Sequence, residues 1–225
     1  MVMNNNDDTF IREVNEELRS EQLQTAWKRF RPAIIGLAVL IVAGVAGASV
    51  YEWWQARESS ASGDRFLSAI KDANDKKSEQ AVKELETLVK DGFGSYPVLA
   101  RMRLATLKAE QGDAKGAIAD FLALGQDAGV PQAMRNAAKM RAGWLMVDQA
   151  SYAEIAGQVE ELAAPTSPVR FSAREILGLA AYKAGDYAKA KDWMQKIVDD
   201  NDAPAGARTR ARMVLGMITA SGKLS

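Results

Sequence analysis

The sequence predicts an all-α chain in which a single transmembrane helix precedes a helical-repeat solenoid of about four helix pairs, closed by a C-terminal capping helix. Three observations carry that prediction. An uncharged run of 20 residues extends from Pro32 to Tyr51. Beyond it an apolar trio recurs every 35 to 38 residues, and prolines repeat nearly the same period independently. The corresponding division is 1–31 as a cytoplasmic tail with a short amphipathic helix, 32–54 as the transmembrane helix, and 55–225 as the repeat domain.

In the tail, Asp8 or Thr9 can cap a helix on which Ile11, Val14 and Leu18 recur at helical spacing. Glu13, Glu16 and Glu17 fall in its first turns, where acidic side chains suit the helix dipole. A solvated stub and a docking helix both fit this pattern.

The run PAIIGLAVLIVAGVAGASVY follows. At about 1.5 Å per residue it covers roughly 30 Å, the thickness of a bilayer's hydrocarbon core. Trp27 and Phe30 flank one end, and Tyr51, Trp53 and Trp54 the other, where interfacial aromatic belts form. Ala46 and Ala48 resemble a signal-peptidase site, but the run is too long and too far from the start for a cleaved signal. It reads as an uncleaved anchor. Small residues Ala43, Gly44, Gly47 and Ala48 mark a face that a second membrane helix could approach. Lys28, Arg29 and Arg31 stand immediately before the span, so the positive-inside rule keeps the N-terminus in the cytoplasm. In a bacterium the C-terminal domain then lies in the periplasm.

Past the anchor, Arg57 to Ser62 fits either a break or a continuous helix leading into the first repeat. Four trios then share one spacing: Ala81, Leu85, Leu88; Ala117, Phe121, Leu124; Ile155, Val159, Leu162; and Ala190, Met194, Ile197. Positions i, i+4 and i+7 fall on one helical face, so each trio is the buried stripe of an amphipathic helix. Pro97, Pro131, Pro168 and Pro204 each precede an Ala- and Arg-rich helical run, as expected of a residue suited to a helix's first turn. Small residues Ala69, Ala105, Gly143 and Gly178 recur in the first helix of each pair and admit a close neighbour. The run from Pro204 to Ala220, with Met213, Leu215 and Ile218 among three arginines, is the expected cap.

A period near 34 residues with one helical pair per unit resembles the tetratricopeptide repeat. The fullest copy is Leu177-Gly178, Tyr182-Lys183-Ala184-Gly185-Asp186-Tyr187 and Ala190, followed by Leu104-Ala105, Gly112-Asp113 and Ala117 through Phe121. Arg101 and Arg174 stand where the pattern has an aromatic. The opening segment DDTFIREVNEELRSEQL, one anchor and a small repeat domain together resemble the YfgM-like family of bacterial envelope proteins. That resemblance implies a single-pass protein of the bacterial inner membrane, ancillary to the Sec translocon. Its implied partners are translocon subunits, periplasmic chaperones or unfolded clients.

Cysteine and histidine are both absent, which removes thiol nucleophiles, disulfides, imidazole bases and nearly every zinc or haem arrangement. Lys+Arg and Asp+Glu each total 29, so no global charge points to nucleic acid. There is no nucleophile elbow, Walker loop, dinucleotide fingerprint or calcium loop; Gly216 and Gly222-Lys223 have the wrong spacing for a phosphate loop. The expectation is a non-enzyme with no cofactor, no metal and no small-molecule substrate. A repeat of this kind works as a surface, and the tetratricopeptide resemblance places Leu99, Met102, Met140, Trp144, Leu179 and Tyr182 on or near the inner wall. Methionine and aromatic side chains there suit varied apolar segments, although inter-repeat core is the simpler role for them. Two functions follow: a chaperone-like adaptor beside the translocon, or a scaffold that binds one defined partner in a fixed envelope assembly.

Overall fold

A computed structural model describes residues 5–222. It divides into two units, Met1–Glu58 and Ser59–Ser225. In the first unit runs most of helix α1, which spans Asn5–Asn74 and contains Pro32 within it. The residues before the apolar stretch and the stretch itself are therefore parts of one helix, and no break occurs at Arg57–Ser62. The amphipathic reading of Ile11, Val14 and Leu18 concerns side chains that lie outside the described residues. Among the described residues one stretch, within Ile35–Asn74, is long and apolar enough to cross a membrane; its apolar window has mean hydropathy 1.9 and no buried residue. A core helix of a globular protein would be covered, so burial inside the protein does not account for these apolar side chains. The Tyr51 and Trp54 rings lie 6.2 Å apart, and the Arg57 guanidinium sits 5.5 Å from the Trp53 ring centre. Gly44 and Gly47 have open space around them.

The second unit is a stack of antiparallel helices with no strand among the described residues. Its first pair is the end of α1 with α2 (Ser78–Asp91). The second is α3 (Tyr96–Glu110) with α4 (Ala114–Gln126), and the third α5 (Gln132–Gln149) with α6 (Tyr152–Val159), which a 3-10 turn at Glu160–Ala163 prolongs. The fourth joins α7 (Arg170–Lys183) to α8 (Tyr187–Val198), and α9 (Ala205–Ala220) closes the stack. The four apolar trios are buried, and each anchors one cluster of the core. Ser62, at the end of that polar run, is buried, and its hydroxyl accepts the Phe93 N–H at 3.0 Å.

Turns between paired helices follow one design in the second and fourth pairs. Gly112 (φ 92°) and Gly185 (φ 79°) take the left-handed conformation, and Asp113 and Asp186 cap the next helix by accepting the N–H of Gly116 (2.8 Å) and Lys189 (3.0 Å). The first pair forces Lys76 into that conformation (φ 62°). The third pair turns differently: Ser151 and Glu154 form a capping box, and no glycine is needed. Pro131 and Pro204 occupy the N-cap, one residue ahead of the expected first turn, while Pro97 lies within the first turn of α3.

Candidate functional site: a groove on the first helices

The first helices α3, α5, α7 and α9 succeed one another across the stack, and their shared face forms a groove. Close approach sets its depth. A Cβ on Gly143 would meet Ile176 Cδ1 and Val159 Cγ1 at 3.1 Å, and one on Gly178 would meet Met194 Cε at 2.6 Å, so both helices press against their neighbours.

Ionic staples fix the azimuth of two of these helices. Arg101 Nη1 donates to Asp127 Oδ2 at 2.7 Å, and Arg174 Nη1 donates to Asp200 Oδ2 at 3.0 Å. Both pairs are separated by 26 residues, and in both the aspartate also accepts an N–H two residues ahead, from Gly129 and Asp202. The departures from the aromatic pattern are thus a repeated polar replacement. Arg174 is 5 % exposed and is further held by the carbonyls of Ala163 (3.1 Å) and Lys196 (2.9 Å). Arg170 adds hydrogen bonds to Asp200 and Asp202, and its guanidinium lies 4.2 Å from the Phe171 ring centre. The Arg170 and Arg174 guanidiniums hold the Asp200 carboxyl well below the usual carboxylate range, and the hydrogen bond from Arg101 lowers the pKa of Asp127.

A cavity of about 560 Å³ opens in the groove between α3, α5 and α7. Its size lies within the range of ligand-binding clefts, roughly 300–1,000 Å³. Trp144 and Met140 line it with Phe121, Ala109 and Leu145; Thr106, Arg141 and Ser172 supply its polar groups. Trp144 is 40 % exposed, whereas Met140 is buried and forms part of the core beneath. A second cavity of about 300 Å³ continues toward α9 and shares Val169 and Ser172 with the first. At its wall the buried Glu175 carboxylate accepts two hydrogen bonds from Arg210, one of them 2.7 Å long, and this contact raises the pKa of Arg210 further. Arg210, Met213 and Met217 share one face of α9 at helical spacing, and Met213 and Met217 are 57 % and 47 % exposed.

Of the six residues expected on the wall, Met140 and Trp144 come together at the cavity. Met102 is half-buried against the cluster around Phe121, and Leu99 is half-buried on α3. Leu179 and Tyr182 pack against the C-terminal cluster, where the Tyr182 ring meets Tyr187 edge-on at 5.4 Å, and neither lines the cavity. Arg141, Ala137, Ser172 and Thr106 belong to the site but were not expected there. Ala137 and Arg141 stand seven and three residues before Trp144 on the same helical face, so that spacing was the available signal. Ala43, Gly44, Gly47 and Ala48 are exposed on α1.

No curated protein and no solved structure matches the chain. The family of the tetratricopeptide repeat-like domain matches residues 24–217, a span that takes in the apolar stretch of α1 and the whole stack of pairs as far as Met217. Buried trios, paired helices and that match agree, and the chain belongs to the tetratricopeptide repeat-like domain family.

Proposed function

We propose that this chain is a membrane-anchored, protein-binding adaptor of the bacterial inner membrane, ancillary to the Sec translocon and handling polypeptides as they emerge into the periplasm. The observation that carries the reading is the cavity at Trp144. A half-exposed indole over a methionine floor is a surface that water covers poorly and that apolar segments of differing shape can occupy. Nothing in the groove assembles a nucleophile with a base, and among the described residues no cluster of acidic side chains has the arrangement to hold a metal. Work by surface contact is what its chemistry supports.

The membrane and translocon parts of the reading have separate support. An apolar helix with no protein cover belongs in lipid, and the basic flank at Lys28, Arg29 and Arg31 favours a cytoplasmic N-terminus. The resemblance of residues 7–31 to YfgM-like proteins supports the place beside the translocon. A span of 32–54 followed by a periplasmic domain from 55 onward is the corresponding topology.

Photo-cross-linking from intact membranes tests the function. A photoreactive residue at Ser172, in the groove, should capture translocon subunits together with a mixed set of client polypeptides, while the same residue at exposed Lys191 on α8 should capture far fewer. Capture of one stoichiometric partner and nothing else would replace the adaptor with a fixed scaffold. Digestion of the C-terminal domain by protease added to spheroplasts tests the topology.

A further inference from the structure

We infer that the groove selects clients by charge as well as by apolar content, taking extended segments in which a large apolar side chain is flanked by aspartate or glutamate. The inference rests on the groove being the protein-binding site and names what enters it.

The first observation is Arg141. It is the single charged residue lining the 560 Å³ cavity, it is exposed, and it makes no ion pair among the described residues. Of the arginines nearby, Arg103 on α3 pairs with Glu110, and Arg210 at the second cavity pairs with Glu175. A guanidinium left free beside an indole and a thioether offers a carboxylate two parallel donors, and the apolar wall beside it lowers the competition from water.

The second observation is the direction in which the groove continues. The two cavities share Val169 and Ser172, so a bound chain passes on toward α9 and does not end at Trp144. That favours an internal segment over a chain terminus. At the second cavity Arg210 is already matched by the buried Glu175, so the cation that a bound segment meets unpaired is Arg141. An apolar segment flanked by lysine would bring a second cation against Arg141, and one flanked by acids would bring complementary charge to it.

The test uses the full chain in detergent micelles and three fluorescent peptides that share one apolar core, flanked by glutamate, serine or lysine. Anisotropy titration should rank them glutamate, serine, lysine, each step worth roughly fivefold in Kd at low salt and less at high salt. Arg141→Glu should invert the order, and Arg141→Gln should bring the glutamate peptide to the affinity of the serine peptide. Because Arg141 is exposed, both variants should keep the parental circular dichroism spectrum. Equal affinity for the three peptides would overturn the charge selection while leaving the groove as a binding site. Binding of all three that survives Trp144→Ala and Ser172→Trp unchanged would remove the groove from the reading altogether.

Discussion

Trp144 and Met140 sit four residues apart on one helix and line one cavity, yet their burial assigns them different work. Met140 is 7 % exposed and belongs to the core, so Met140→Ala should cost about 2–5 kcal/mol of stability, read as a lowered urea midpoint. Trp144 has its indole half in water; Trp144→Ala should cost far less stability and remove most client cross-linking per folded molecule. The two arginine staples divide in the same way. Arg101 and Asp127 are both about one-third exposed, so Arg101→Ala should change stability by less than about 1 kcal/mol. Arg174 is buried, and its loss strands the carbonyls of Ala163 and Lys196 while Asp200 keeps Arg170; Arg174→Met should cost about 2–3 kcal/mol in the same measurement. The aspartates set the response to acid. Asp127 and Asp200 have their pKa lowered in the folded state, so they release stability as pH falls. Their contribution is complete above the ordinary carboxylate pKa, about 4, and drains away as pH falls through the lower folded-state values. The melting temperature should therefore drop steeply below about pH 4, and Asp200→Asn should make that drop shallower while lowering the plateau at neutral pH.

At the scale of the helix, much of the architecture was legible because it is periodic. The four trios needed only a 3.6-residue period to be recognised, and every member is buried. The small residues Gly143 and Gly178 were legible for the same reason, but what each one touches was not. Gly143 faces the branched ends of Ile176 and Val159, which cannot turn aside, whereas Gly178 faces the free methyl of Met194, which can. Alanine adds up to about 1 kcal/mol of helix propensity at either place. Gly178→Ala should accordingly come out near neutral, and Gly143→Ala should be destabilising by about 1–2 kcal/mol, as a chemical denaturation series on the two variants would show. The staples were illegible from any single copy, since a partner 26 residues away leaves no local pattern; only the coincidence of Arg101 with Asp127 and Arg174 with Asp200 reveals them. The site was legible in part. Trp144 and Met140 follow from the repeat register, while Leu179 and Tyr182 pack against the C-terminal cluster, where α9 lies against α7 and α8. Arg141 escaped notice because an exposed arginine on a helix is ordinary until the cavity beside it is seen.

For the molecule as a whole, the proposed membrane anchor is tested on the apolar stretch of α1. Placing a charge at its middle should release the chain from lipid: Val42→Arg costs about 2.5–3.5 kcal/mol of insertion, and a larger share of the protein should leave the membrane pellet in alkaline carbonate than for the parent. The stack beyond behaves as a one-dimensional object, in which each pair is supported by its neighbours alone. Its supports are uneven. The second and fourth pairs carry an arginine staple, but in the third, Lys139 stands where the arginine would be and Pro165 where its aspartate would be. That third pair also has the shortest second helix, eight residues, and it is the pair that bears Trp144. Under tension applied along the stack, yielding should begin at this weakest link, so the joint that carries the wider opening of the groove is also the one best able to give way.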